Sequence, residues 1–600
     1  MPFALLLALI AIASATLLTY LYDRDASFPA RLCAGTCTGF AALGLVGFIV
    51  ASMLGLNAAS LLVTGTLIAA PLLMLGRREW RARVGADIAE LLRVVRLSVV
   101  RPGKGETGTL IFYLVAALLF WFVFGGAMYE NPAGVFTGVD NNIGDLPFHL
   151  SIITGFAHGA NFPPQDTEFA GVRLTYPFII DFLAAMFVRA GASLQGALFW
   201  QNFVLALSLV GLLHRWALKL TDDRAAALIT PALVLLSGGF GWTELFADAQ
   251  RAGRGVFELL GQLPHDYTIM GHINYRWGNA VTTLLIPQRG LLLGIPLALV
   301  VWTLWWDGAG DERRLTGDGE ETHPNEGSVE ELTKVRKKRR AGKLKLRGGD
   351  EAEKRSISKA EKRHVTKSAH LDAPSPSTVS RPMSALLRPP SAVVQMLAAG
   401  IVAGMLPLVH AHSFVVMMLM GGCLALIFAD WKGANSGSSA GGFAWSKLFA
   451  SSRPWVAFFV AACLVAVPQM LWAMNGSAVH AGQFFGREFG WDHGTANVFW
   501  FWLKNTGLFI PLLAAALLWR GRASIVPRRL LLFYLPFVLC FVIPNLFKLS
   551  PWVWDNIKVL FYWWVASAPL VALLLARLWR GGKAWRACGV AALLVLTLAG

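Results

Sequence analysis

Apolar runs of about 20 residues, repeated along the chain and separated by polar connections, constrain this fold more than any other feature. They recur at 1–20, 33–52, 58–75, 109–128, 191–213, 224–239, 291–306, 393–410, 414–428, 455–473, 498–518, 530–547 and 558–578, and another begins at 587. Inside a bilayer the backbone finds no water, so each run must satisfy its own N–H and C=O groups as a helix. The expectation is an all-α polytopic membrane protein with about 13–14 transmembrane helices. Only 15% of the residues are charged and 55% are hydrophobic, too little polar surface for a soluble domain of this length. The first run has no basic residue before it, unlike a cleaved leader, and reads as the first span, with Asp23, Arg24 and Arg31 at its inner end.

The net charge of +17 has a simple source in a membrane protein, namely basic loops on the cytoplasmic face. Residues 77–104 (RREWRARVGADIAELLRVVRLSVVRPGK) form one such loop, in part an amphipathic helix, and Arg520, Arg522, Arg528, Arg529, Arg577, Arg580, Lys583 and Arg586 mark others. Residues 307–389 differ in kind. Lys, Arg, Glu, Gly, Ser and Pro dominate there, a composition that cannot bury an apolar core and that predicts a disordered cytoplasmic insertion. Its polybasic clusters suit anionic lipid headgroups, and nothing beyond charge points to nucleic acid. The insertion divides an N-terminal transmembrane module, 1–306, from a C-terminal one, 390–600. The six cysteines lie in or beside apolar runs and show no disulfide framework; Cys33 and Cys37 read as packing.

The opposite face collects acids, histidines and aromatic residues, mainly in outer loops 129–175 and 240–288. Within the first, FTGVDNNIGDLPFHLSIITGFAHGANFPPQDTEFAGVRLTYPFIIDFLAAMFVRA carries Asp140, Asp145, His149, His158, Asp166, Glu168 and Arg173. Leu146, Phe148, Ile152, Ile153 and Phe156 line one side of a short helix expected to start near Asp145 and to lie at the interface. Residues 176–190 are apolar but short and contain Asp181 and Arg189. A half-depth or re-entrant helix keeps the basic loops on one side and implies a lined cavity. The second loop contains PHDYTIMGHINYRWGN, with His265, Asp266, Tyr267, His272, Arg276 and Trp277. Later, NLFKLSPWVWDNIKVLFYWW contributes Lys548, Trp552, Trp554 and Asp555. Asp555 also suits a helix N-cap, the tryptophans suit an interfacial belt, and His410-Ala411-His412 suits packing at a helix end.

The stretch from Phe136 through the Tyr176–Pro177 segment, with the helix that follows, resembles the integral-membrane glycosyltransferases of the GT-C superfamily, relatives of protein mannosyltransferases and aminoarabinose transferases. The resemblance implies a first-loop acid after a spanning helix, a membrane-parallel helix, a polar patch and a Pro-containing apolar helix. It implies transfer of a sugar from a polyprenyl-phosphate donor to a glycan, lipid or protein acceptor. Asp145 matches the acid best and Asp140 is its rival. Arg173 matches a basic residue near the donor phosphate. Leu174-Thr175-Tyr176-Pro177-Phe178 departs from the charged pair and two prolines of the aminoarabinose transferases.

Such chemistry needs a base within reach of the acceptor hydroxyl, and an Asp at an apolar boundary is tuned for it. It also needs cations for the departing phosphate: Arg173, Arg276, Arg289 and Lys548 are the candidates. His149, Glu168, Tyr176, His265, Asp266, Tyr267, His272, Trp277, Trp552, Trp554 and Asp555 are the candidates for holding substrate. A divalent metal is conceivable on Asp140, Asp145, His149, His265 or Asp266, because Asp145 and His149 share a helical face. The main alternative is a multi-pass secondary transporter, for which intramembrane charge is a hallmark. A non-catalytic scaffold and another lipid-linked enzyme are further readings. The long insertion leans slightly toward an endoplasmic-reticulum or other endomembrane setting, with a bacterial inner membrane left open; Asn475-Gly476-Ser477 has the form of a glycosylation sequon, a pattern short enough to be frequent by chance.

Overall fold

The first two helices show how the apolar runs become a bundle. Pro2–Tyr22 and Phe28–Leu54 meet at Gly35 and Gly39, where an added Cβ would fall 2.2 Å from Thr16 Oγ1 and 2.5 Å from the Ala11 carbonyl oxygen. Small residues at such a seam let backbones approach and gain dispersion contacts, the main attraction between helices in lipid. The third run opens on a capping box, with Asn57 and Ser60 satisfying each other's backbone, and tightens into a 3-10 turn at Ala70–Gly76. The computed structural model describes residues 2–23, 25–100, 105–315, 391–431, 445–474, 485–519, 524–598 and 600. The insertion from residue 316, the sequon, His480, Arg520 and Arg522 lie outside the described residues.

The chain is a polytopic helical membrane protein. Among the described residues ten helices are long and apolar enough to cross a bilayer, or eleven if one bent pair is a single span. The expected 13–14 included three kinds of run that fold differently. The run at 498–518 breaks into Val498–Thr506 and Phe509–Leu518, bent by 97°; Gly507, at φ +56°, makes the break. Arg224–Leu236 and Ala392–Gly404 are helical but only 13 residues each. Lys583–Leu598 has 16. The basic loop after the third run is one helix, Arg78–Val100. The helix from Arg289 continues past Asp307 to Leu315, and Lys219 pairs with Asp307 at 2.6 Å.

Two helices form the centre. Arg289–Ala309 and Val553–Trp579 are each 94% buried across their most apolar window, as helices apolar on all sides should be. Their C-terminal ends reach an ion-pair layer: Asp23 with Arg215 at 2.6 Å, Arg31 with Asp87 at 3.6 Å, Lys219 with Asp307, and Arg580 with Asp223 at 2.5 Å. Asp23, Arg31, Asp87 and Arg580 belong to the inner face of the sequence reading. A span of 21 residues at 1.5 Å per residue puts the opposite ends of those helices about 30 Å away.

At those opposite ends the loops are structured. Tyr129–Asn131 and Gly134–Phe136 pair as a hairpin. The helix foreseen near Asp145 is Asp145–Ala157; Leu146, Ile152, Ile153 and Phe156 are buried, with Phe148 half-buried. Ile179–Arg189 has 11 residues, too short to cross a bilayer, with buried residues on every side.

Candidate functional site

Asp145 opens its helix from a half-buried position, and its Oδ1 accepts a hydrogen bond from Gln288 Nε2 at 3.0 Å. A cavity of about 220 Å³ lies beside it, lined among others by Asn141, Asp145, Arg276, Gln288, Trp554 and Lys558. Four separate stretches of chain therefore converge: the first outer loop, the second, the turn into the helix at Arg289, and the start of the helix at Ile557. Burial raises the Asp145 carboxyl above the usual carboxylate range and the Asp555 charge adds to this, while His149 and Lys558 oppose it.

Both cations of the cavity are anchored. Arg276 Nε lies 3.0 Å from Asp492 Oδ2, and the backbone N–H groups of Arg276 and Trp277 both donate to Asn505 Oδ1, at 2.6 and 2.9 Å. Lys558 Nζ lies 3.0 Å from Asp555 Oδ1, whose other oxygen accepts from Ser550 Oγ at 3.0 Å. Asp555 therefore holds Lys558 across one helical turn and is not the backbone cap considered for it. Trp554 stacks on Trp491, ring centroids 5.9 Å apart, and Trp491 in turn packs on Trp277 and Trp502. Trp277 is buried in that cluster and stiffens the wall. Asp266 accepts from Asn141 Nδ2 at 3.2 Å and from Thr268 Oγ1 at 2.6 Å, fixing Asn141 at the cavity edge.

Beneath Asp145 lies a second group. His149 Nδ1 is 2.8 Å from Asp181 Oδ2 and its Nε2 is 2.9 Å from the Pro287 carbonyl. Arg289 pairs with the other Asp181 oxygen. Arg289, a candidate phosphate ligand from sequence, meets Asp181 through Nη1 while its Nε and Nη2 are buried with no hydrogen-bond partner among the described residues, and it lines a separate cavity of about 20 Å³ with Asn142, Gln195, Asn202 and His149, room for one water molecule. Tyr176 packs edge-on against Phe148 and His149.

The remaining candidates lie elsewhere. Asp140 is exposed in a 3-10 turn and Glu168 on the loop near Asp166. The Arg173 guanidinium sits 4.3 Å over the Trp472 ring. Lys548 is in a two-residue strand paired with Gly486–Arg487. His265 and Tyr267 both reach Asp248, at 3.1 and 2.7 Å. His272 is exposed, and Trp552 is 75% exposed. Among the described residues no three His, Cys, Asp or Glu side chains converge as a metal-binding group. Sequence reasoning did not assign roles to Asn141, Gln288, Asp492 or Lys558. For Lys558 the signal was its i, i+3 spacing from Asp555; for the others pairing is long-range and leaves no local trace. No family model, no curated protein and no solved structure matches this chain. These comparisons do not tie the chain to the GT-C enzymes.

Proposed function

We propose that the protein is a membrane glycosyltransferase that moves a sugar from a polyprenyl-phosphate donor to an acceptor at the face carrying the outer loops. The observation that supports this most is the single cavity in which a carboxylate with a raised pKa meets two cations and an aromatic wall. Asp145 takes the proton from the acceptor hydroxyl. The acceptor oxygen bonds to the anomeric carbon, the bond from that carbon to the phosphate oxygen breaks, and the phosphate leaves with the electron pair. Arg276 and Lys558 stabilise the charge that collects there. Trp554 offers an aromatic face to the sugar, and Asn141 and Gln288 offer amides to its hydroxyls.

The test is transfer in reconstituted membranes with a panel of radiolabelled polyprenyl-phosphate sugars, comparing wild type with Asp145→Asn and Lys558→Gln. Lipid-dependent transfer that disappears in a folded Asp145→Asn protein supports the reading. Absence of transfer from every donor refutes it. The transporter alternative draws on the buried Asp181–Arg289 pair and the helix pair bent by 97°. Substrate flux into sealed vesicles without transfer is the result that would establish it.

A further inference from the structure

Asp181, His149 and Arg289 are 0%, 1% and 2% exposed. Burying such charges costs several kcal/mol per ion in desolvation, and an apolar replacement often serves stability as well. Their placement offers another use. His149 lies one turn beyond Asp145 on the same helix, so its ring fixes the rotation of that helix about its axis. Arg289 directly follows Gln288, whose amide holds Asp145. Pro287, on the other side of Gln288, accepts from His149. A carboxylate and a carbonyl can only accept, so His149 donates from both nitrogens as an imidazolium, or Asp181 carries the proton between them. Either way, one carboxylate ties the helix bearing Asp145 to the turn bearing its hydrogen-bond partner.

We infer that Asp181 is a positioning residue that acts through His149 and Arg289 to hold Asp145 and Gln288 in register at the cavity. Its role in turnover rests on the transferase reading; the geometry it imposes on Asp145 does not. The two are therefore read separately, in full-length protein in lipid nanodiscs. The first measurement is site-resolved labelling of Asp145 by a water-soluble carbodiimide and an amine at fixed pH, quantified by mass spectrometry. Asp181→Asn changes the Asp145 labelling rate severalfold. Asp23→Asn, which removes an equally buried carboxylate from the inner ion-pair layer, leaves it unchanged. His149→Gln cuts only the link to the Asp145 helix; it gives the same direction and serves if Asp181→Asn does not fold. The second measurement is turnover: Asp181→Asn lowers kcat by about 100-fold, the scale of a 1 Å misplacement, with donor KM little changed.

Unaltered Asp145 labelling in a folded Asp181→Asn or His149→Gln protein overturns the inference. So does an equal change in Asp23→Asn, which would mark a general loosening. Wild-type protein that transfers nothing sinks the proposed function, while the labelling still decides the role of Asp181.

Discussion

Lys558→Gln is the most direct probe of the cavity, because it removes a charge while keeping a side chain of similar length. A hydrogen bond to a charged group contributes about 1.5–3 kcal/mol net. Lys558 does not offer its full charge, since Asp555 already lies 3.0 Å from its ammonium. The lower half of the range then applies, about 1.5–2 kcal/mol, or roughly 10- to 30-fold in Kd. The substitution has a second effect with a definite sign. Lys558 is one of the groups that pull the Asp145 carboxyl downward, so its loss lifts that carboxyl further and moves the acidic limb of a pH–rate profile to higher pH. The assay is equilibrium binding of farnesyl phosphate to protein in nanodiscs, followed by tryptophan fluorescence, in wild type, Lys558→Gln, Asp555→Asn and the double variant. Asp555→Asn should tighten binding by releasing the ammonium, and the double variant should lose that gain. Binding within twofold of wild type in Lys558→Gln would refute a phosphate role for this residue.

Three further outcomes follow from particular contacts. Asp145→Asn should raise thermal stability at neutral pH even as it abolishes transfer. A carboxyl whose pKa is raised on folding binds more protons folded than unfolded just above the ordinary carboxylate range, so it costs stability as pH rises through that window and beyond. The difference in Tm should vanish in acid, and a pH-independent difference counts against the assignment. Asp492→Asn frees Arg276 of its 3.0 Å partner; steeper salt dependence of farnesyl phosphate binding is expected, and unchanged dependence would mean that Arg276 does not face the ligand. Gly39→Val places side-chain atoms against the Ala11 carbonyl and should destabilise the bundle by about 1–3 kcal/mol, the usual cost of overpacking, read as a lower midpoint in detergent-denaturant titration with no change in the pH profile of transfer.

Much of the bundle was legible because hydrocarbon imposes one rule on every residue of a run, and twenty apolar residues obey it wherever they fall. The short helix at Asp145 was legible for a related reason: the alternation of Leu146, Ile152, Ile153 and Phe156 with polar neighbours fixes a helical face without help from the rest of the chain. Runs failed where a local device cut them, as Gly507 does between Val498–Thr506 and Phe509–Leu518. The candidate site was legible at Asp145, Arg276, Trp554 and Asp555, which stand out as polar or aromatic residues beside a membrane helix. The pairing of Arg289 was not legible: the same property made it a phosphate candidate, and the structure puts it on Asp181 beside the smaller cavity. Nothing in the local sequence pairs Arg289 with Asp181, 108 positions away. A cation next to a loop reads alike from sequence whether a ligand or a buried carboxylate neutralises it.

That ambiguity bears on how the cavity works. Arg276 keeps a carboxylate partner from a distant part of the chain, Asp492, and Lys558 keeps one from the preceding helical turn, Asp555, so each cation already has a counter-charge. Cations so held are already oriented, and an anion that enters shares them without first drawing them out of solvent, which is how preorganised donors stabilise developing charge. Asp145 differs: its bond is to the neutral amide of Gln288, and burial lifts its carboxyl. A salt bridge directly to Asp145 would have held it ionised and lowered its basicity. Arg289, which adjoins Gln288 in sequence, pairs with Asp181 instead, and the charges that act on Asp145 are those of His149, Lys558 and Asp555. Removing Asp181 therefore reaches Asp145 through the register of two elements, by way of His149 and of the turn that carries Gln288.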